Sequence, residues 1–318
     1  MSSILFRKSL LGLLYLFVIS LAAFFMGRQM PGDPAEIIAN QGRETEAPPE
    51  LVERIRVEYG FDRGWIEQYR RWLERALFQG DLGYSTSSRR PVIDRIRETL
   101  PVSLRLGVIA FSVTVLVSFP LGLLAGVTTH KALDVLIQVL TWTSYSIPVF
   151  LVGTILIWLF AVEFQLLPSI GHDSWRHYLL PVSALSLHLF GWTTQVIRSS
   201  VEEIAGKPYI LAARAKGLRE RSLILVHVLK PALLPIVTAL LIQLGGLVSG
   251  SFIIETIFAW NGIGRLLIES IMARDFPMIQ GILLYVGGIF ALINVLIDLL
   301  YVYLDPSTAT KLSGGRQS

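Results

Sequence analysis

The chain contains no cysteine in its 318 residues, which excludes disulfides and thiolate metal sites. It is also short of charge. Asp, Glu, Lys and Arg make up 16% of it, against about a quarter of a soluble domain. Hydrophobic residues make up 53% and the mean hydropathy is +0.57, a balance suited to lipid. A GxxxxGK[ST] phosphate loop is missing, so ATP is not bound by that route, and neither HExxH nor EF-hand spacing occurs. Ser249 has Leu247 where a GxSxG nucleophile elbow needs glycine. His172 and His177 are a weak metal pattern. His188, alone in an apolar run, reads as a packed or hydrogen-bonded side chain rather than a base. No catalytic residue, cofactor or metal site is therefore assigned. The formal net charge of +4 reports loop orientation in a membrane chain better than it reports a nucleic-acid partner.

What is present is apolar length. Six charge-free runs occur: Ser9–Met26, Leu106–Val127, Val135–Val162, Tyr178–Ile197, Pro231–Ile254 and Pro277–Ile297. Each is near or above the roughly 18 to 20 residues that cross a hydrocarbon core of about 30 Å as helix. None alternates like a barrel strand, so the expectation is an all-α integral membrane protein with six transmembrane helices. Arg7-Lys8 before the first run resembles a signal peptide. The run exceeds a typical h-region of about 7 to 15 residues, and Gly27-Arg28-Gln29 is a poor cleavage site, so a retained helix is expected. Arg7, Lys8, Lys131, the Arg198–Lys230 run, Lys311 and Arg316 fall on one side of this topology. The positive-inside rule puts that side, with both termini, in the cytoplasm.

The division expected is 1–27 for the N-terminus and first helix, 28–101 for an extracytoplasmic helical segment, 102–306 for the transmembrane core and 307–318 for a cytoplasmic tail. Within 28–101, Glu50–Tyr59 and Trp65–Phe78 carry apolar residues at helical spacing, with Pro48-Pro49 to start the first and Gly60 to stop it. Pro91–Pro101 reads as a short helix leading into the membrane. Between the fourth and fifth runs, Ser200–Pro235 reads as two short helices. Pro208 suits a first helical position, Gly217 a left-handed stop sealed by Leu218, and a second helix over Ser222–Leu229 ends near Pro231. Ala212, Ala213 and Ala215 permit close approach, and Arg214, Lys216, Arg219 and Arg221 make the segment basic. Glu255 and Asp298 lie near the ends of apolar runs, where an ionisable group is a functional candidate by default. Pro120, Pro148 and Gly245-Gly246 permit kinks or close crossings.

Ala-Ala-Arg-Ala-Lys-Gly-Leu (212–218) followed by His-Val-Leu-Lys-Pro-Ala-Leu-Leu-Pro (227–235) resembles the EAA loop of binding-protein-dependent ABC importer permeases. The form is that of the dipeptide, oligopeptide and nickel branch. Met30–Pro34, Gly80–Ser85, Pro91–Pro101, Ser146–Phe150, Glu255–Arg265, Ala273–Gly281 and Leu304–Pro306 resemble the same branch in the same order. Two positions depart from the pattern: Leu211 stands where the naming acidic residue is expected, and Lys230 precedes Pro231. The resemblance implies a non-catalytic permease subunit of a bacterial inner-membrane importer. Its expected partners are a second homologous permease, two cytoplasmic ATPases and an extracytoplasmic binding protein, within the bilayer and without nucleic acid. Ala212, Ala213, Arg214, Lys216, Gly217 and Leu218 would form the ATPase-coupling loop, with Gly217 as hinge and Arg214 and Lys216 facing acidic groups of the ATPase. Glu255, Trp260, Gly262 and Gly264 are candidates for an outer gate or a binding-protein contact. The cargo implied is short peptides, nickel or nickel chelates. An ATP-independent channel or secondary transporter is the alternative, disfavoured because no inverted repeat or intramembrane charge relay is visible.

Overall fold

The computed structural model describes residues 2–28, 33–40, 46–171 and 174–304. Met30, Pro31, Gly32, His172, the Asp305-Pro306 pair and the tail at 307–318 lie outside them, as do the side chains of Gly245, Gly246 and Asp298. The described chain is helical, with one isolated bridge between Tyr84 and Pro91. In order come α1 (Ser2–Arg28), α2 (Pro34–Ala39), α3 (Pro49–Tyr59), α4 (Trp65–Glu74), α5 (Val92–Val127), α6 (Lys131–Ser146) and α7 (Val149–Leu156). They are followed by α8 (Trp175–Ala205), α9 (Pro208–Ala215), α10 (Glu220–Ser222), α11 (Leu229–Ile257), α12 (Ile263–Met272) and α13 (Phe276–Leu304). Wider π turns follow α4 (Arg75–Gln79) and α7 (Ile157–Glu163) and join α10 to α11 (Leu223–Val228).

The chain forms two compact units. One holds Ser103–Trp260 with the residues up to Lys8 and from Ile293 onward. The other holds Ser9–Val102 and Asn261–Leu292.

The second unit contains the segment expected to cap the membrane. α3 starts at Pro49 and stops at Gly60, whose φ of 72° is left-handed, as its punctuation predicts. The aromatic side of α4 packs on α1: Tyr69 stands edge-on to Phe24 at 5.4 Å and its hydroxyl is 2.7 Å from that of Ser20. Gln280 Nε2 donates to the Ala23 carbonyl at 2.8 Å. On α13, a Cβ at Gly281 would collide with Val92, so glycine is what lets these chains touch.

α8 organises the first unit. Its 31 residues bury a stripe from Leu180 to Ile204. On α5, a Cβ at Gly122 would lie 2.7 Å from Ile197, and one at Gly126 would lie 2.8 Å from Val201. On α8 itself, a Cβ at Gly191 would run into the Thr141 carbonyl of α6. Small residues therefore set these crossings, as is common in lipid-embedded bundles.

Three expectations are corrected. Pro91–Pro101 is not a separate helix but the start of the 36-residue α5. Val135–Val162 is not one continuous helix: α6 and α7 meet at 96° across Ile147-Pro148, because Pro148 lacks the N–H that would continue α6 and instead caps α7. Helix does not end near Pro231 either. The π turn shifts the bonding register, and Pro231 falls in the first turn of α11, where no N–H is required. By length and composition, three helices among the described residues can each cross a membrane, Val92–Val127, Glu220–Leu244 and Phe276–Ile297, or four where the bent pair counts as one broken span. α8 misses that criterion because it carries polar residues such as Ser186, Thr193, Gln195 and Arg198.

Candidate functional site

Residues 200–235 are seated rather than loose. Ile197, Val201 and Ile204 of α8 form one buried cluster with Ile210 of α9, Leu223 and Val228 of the π turn, and Ala232 and Ile236 of α11. Ile210 is the buried residue of α9, so the short helix is pinned by one side. Its stop has the expected geometry. Lys216 caps the helix, Gly217 has φ 82°, Gly217 N donates to the Arg214 carbonyl at 3.0 Å, and Leu218 N donates to the Ala213 carbonyl at 3.4 Å. These are the paired bonds of a Schellman stop.

The other side of the segment faces outward. Tyr209 and Leu211 are 48% and 55% exposed, and Leu225 and Val226 are about as open. Ala212, Ala215, Lys216, Gly217 and Arg219 are exposed with them, while Ala213 and Leu218 are half-buried. An apolar strip rimmed by cations, rigidly backed by a core, is a surface built to be covered. Arg214 also has a partner within the chain. Its Nε donates to Glu220 at 2.6 Å across the Gly217 turn, so it braces the turn from within the chain.

Just above this cluster, Arg198 of α8 grips Asp134 of α6, with Nε to Oδ1 at 2.7 Å and Nη2 to Oδ2 at 3.0 Å. Gln138 Nε2 donates to the same carboxylate at 2.8 Å, and Glu202 lies 2.9 Å from Arg198 Nη1.

The chain matches the family described as binding-protein-dependent transport system inner membrane component over residues 118–310, and that family's N-terminal model over residues 1–107. The chain belongs to this family. It is a permease of the dipeptide, oligopeptide and nickel branch of ABC importers. It is 36% identical over 305 residues to the glutathione transport system permease protein GsiC of Escherichia coli K12, covering 96% of this chain and 98% of that one. It is 35% identical to the protein of the same name from Shigella boydii over the same shares. A solved amino acid ABC transporter with histidines is similar in fold, with TM-score 0.51 at 18% identity, covering 66% of this chain and 92% of that one.

The remaining predicted positions of the permease fall in both units. Glu255 and Trp260 are both buried in the first unit. Trp260 N donates to the Glu255 carbonyl at 2.8 Å, and its ring meets Tyr178 edge-on at 4.6 Å. Gly262 is the N-cap of α12 and Gly264 is buried in its first turn, both in the second unit. His177 caps α8, accepting from Ser174 N at 3.2 Å. His188 bonds the backbone at Ile147.

Asp275 is the site residue that sequence reasoning misses. It is fully buried ahead of α13 and accepts from Ser85 Oγ, from Ser87 Oγ at 2.7 Å, from the N–H groups of Thr86 and Ser87 at 3.1 and 3.2 Å, and from Met278 N at 3.3 Å. Burial pushes its carboxyl up, but the bonds from Ser85, Ser87 and Thr86 outweigh burial and hold it below the ordinary aspartate range. A latch thus joins the 85–87 turn to the head of α13.

Proposed function

We propose that this permease is one of two membrane subunits of an ATP-driven importer for short peptides, glutathione-like tripeptides among them. In this reading six helices cross the inner membrane, both termini are cytoplasmic, and residues 28–101 lie outside with a binding protein that delivers cargo. The 200–235 segment faces the cytoplasm, where two ATPases grip it. A second permease completes the path.

The observation that carries the reading is the exposed, core-backed surface of α9 and the π turn. A chain without a phosphate loop needs a partner to supply ATP energy, and a helix braced by Ile210 and a left-handed glycine stop can pass on a rigid push. The Ala212–Leu218 motif supports the ATPase as that partner, with Ala212 and Ala215 allowing close contact. Glu255, Trp260, Gly262 and Gly264 would frame the outer side as gate or delivery contact. Near-full-length likeness to glutathione permeases supports a peptide cargo over nickel.

Purification of the assembled complex from its host tests the core of this reading. Two ATPase copies, a second permease and ATP-dependent uptake are expected, and a complex without ATPase would sink it. Titration of the cognate binding protein with short peptides and with nickel decides the cargo, and tight binding of nickel alone would overturn the peptide assignment.

A further inference from the structure

The interruption at Ile147-Pro148 lies beside α8, with Tyr145, Ser146 and Pro148 exposed. α6 is fastened to α8 at Asp134 by Arg198, at Thr141 by Gln195 Nε2 at 2.6 Å, and at Ser144, whose hydroxyl donates to the Leu187 carbonyl. From Arg198 back to His188, α8 rises about 15 Å, roughly half the hydrocarbon thickness of about 30 Å. The break is level with His188, and along α6 it lies about 20 Å from Asp134, so it falls within the hydrocarbon depth reached from the Arg198–Asp134 pair.

A break there releases backbone acceptors. Among the described residues, no backbone N–H reaches the carbonyls of Ser144, Tyr145 or Ser146. His188 takes the Ile147 carbonyl, and its Nδ1 is buried without a partner among the described residues. Beside these acceptors, Trp142 and Tyr145 are 59% and 53% exposed, and Thr143 and Ser146 are exposed as well. One turn earlier the exposed side of the same helix is apolar, with Val135, Leu136, Val139 and Leu140. The outward face of α6 therefore changes from lipid-like to polar as it reaches the break.

Hydrocarbon cannot satisfy such groups. Irregular backbone at membrane depth persists only against protein or beside a water-filled cavity. Transporters that interrupt helices at mid-depth place substrate sites there, with helix N-termini toward anionic substrate groups and freed carbonyls toward cations. No charged residue occurs from Val135 to Val162, so this surface is neutral and rich in acceptors. The groups it matches are N–H donors.

We propose that the Thr143–Pro148 turn, backed by His188, lines the translocation path and binds the amino and amide N–H groups of a short-peptide cargo. This rests on the importer reading, and the test separates the two.

Because the chain has no cysteine, Ser146→Cys places its only thiol at the break. The whole complex in vesicles is treated with a membrane-impermeant cationic thiol reagent, with the unsubstituted complex giving the partners' background. A thiol in apolar surroundings is held protonated and unreactive, so Ser146→Cys is expected to react at least about 10-fold faster than Leu136→Cys on the apolar part of the same helix. Trialanine or S-methylglutathione, supplied with the binding protein, is expected to slow that reaction. Should Ser146→Cys fail to insert, Thr143→Cys gives the same readout. Reaction no faster than at Leu136→Cys overturns the proposal, and so does fast reaction indifferent to both peptides. Either result in a complex that still holds its ATPases and imports peptide rejects this subsite alone, whereas absence of the ATPases rejects the importer reading.

Discussion

Gly217 offers the sharpest test of the coupling segment because its energetics reduce to one variable. Its φ is 82°, yet a Cβ built there meets nothing within 4 Å. Substitution therefore costs backbone strain and no collision. For an L-residue the left-handed conformation costs about 1–2 kcal/mol, and asparagine tolerates it better than alanine. The Arg214–Glu220 pair that spans the turn is exposed at both ends, 51% and 57%, and such pairs contribute at most about 1 kcal/mol. Backbone strain, not the ion pair, decides the outcome. A shift of about 1–2 kcal/mol changes the population of the native stop by about 5- to 30-fold.

The assay is the apparent affinity of the ATPase for the reconstituted permease, measured beside ATP-dependent uptake. Gly217→Asn is expected to stay near the parent, Gly217→Ala to lose roughly 5- to 30-fold in apparent affinity, and Gly217→Val to lose more because of its branched Cβ. Gly107→Ala is the control: that position is equally open but helical, and no loss is expected. If all three Gly217 variants bind ATPase and transport like the parent, the left-handed stop is not what the ATPase reads, and the hinge assignment falls.

Two further predictions follow from the polar fastenings. Asp275→Asn keeps the shape of the latch but turns an amide NH2 toward two or three of its five donors, leaving buried N–H or O–H groups unmet at about 1–3 kcal/mol, so the unfolding temperature of the purified permease should fall by several degrees; an unchanged value refutes the latch. Because hydrogen bonding holds this carboxyl below its ordinary range, its stabilisation is complete above about pH 5 and is lost as pH falls through the carboxylate range, a loss that Asp275→Asn should not show. For Arg198 and Asp134, single and double alanine variants should couple by about 0.5–3 kcal/mol in stability, and strict additivity would mean the bidentate pair holds nothing.

The parts legible in the sequence are those set by neighbours along the chain. Pro208 and Gly217 bracket α9, and Pro49 and Gly60 bracket α3, because a missing N–H and a left-handed φ act within one turn. Proline at a distance from such local cues misleads. Pro101 and Pro231 look like helix ends, but the first is absorbed into α5 and the second follows a π turn that removes the need for its N–H. Of these three prolines Pro148 alone ends a helix, and nothing in the apolar run around it encodes a 96° change of direction. Pairings across the fold are silent as well. Asp275 lies almost two hundred residues from the serines that hold it, and Arg198 lies 64 residues from Asp134, so a charge count gives their presence but not their union. Arg214 shows the same silence at short range, since a cation on a loop suggests an external partner and does not announce its bond to Glu220 six residues on.

α8 is where the coupling surface and the break after α6 become one mechanical problem. Ile197, Val201 and Ile204 hold α9 and the π turn at one end of the helix, while Leu187 and His188 hold the break in α6 near its middle. Between them Arg198 and Gln195 fasten α6 to α8, and Gly191 brings the Thr141 backbone into direct contact. For α6 to slide along α8, the half-buried Arg198–Asp134 pair must open and Gly191 must leave its notch, each costing on the order of 1–3 kcal/mol. Moving the two helices together costs neither. In the importer proposed above, a push delivered at α9 would be carried to Ile147 by α6 and α8 moving as one piece, and the acceptors at the break would change their surroundings without changing their own geometry.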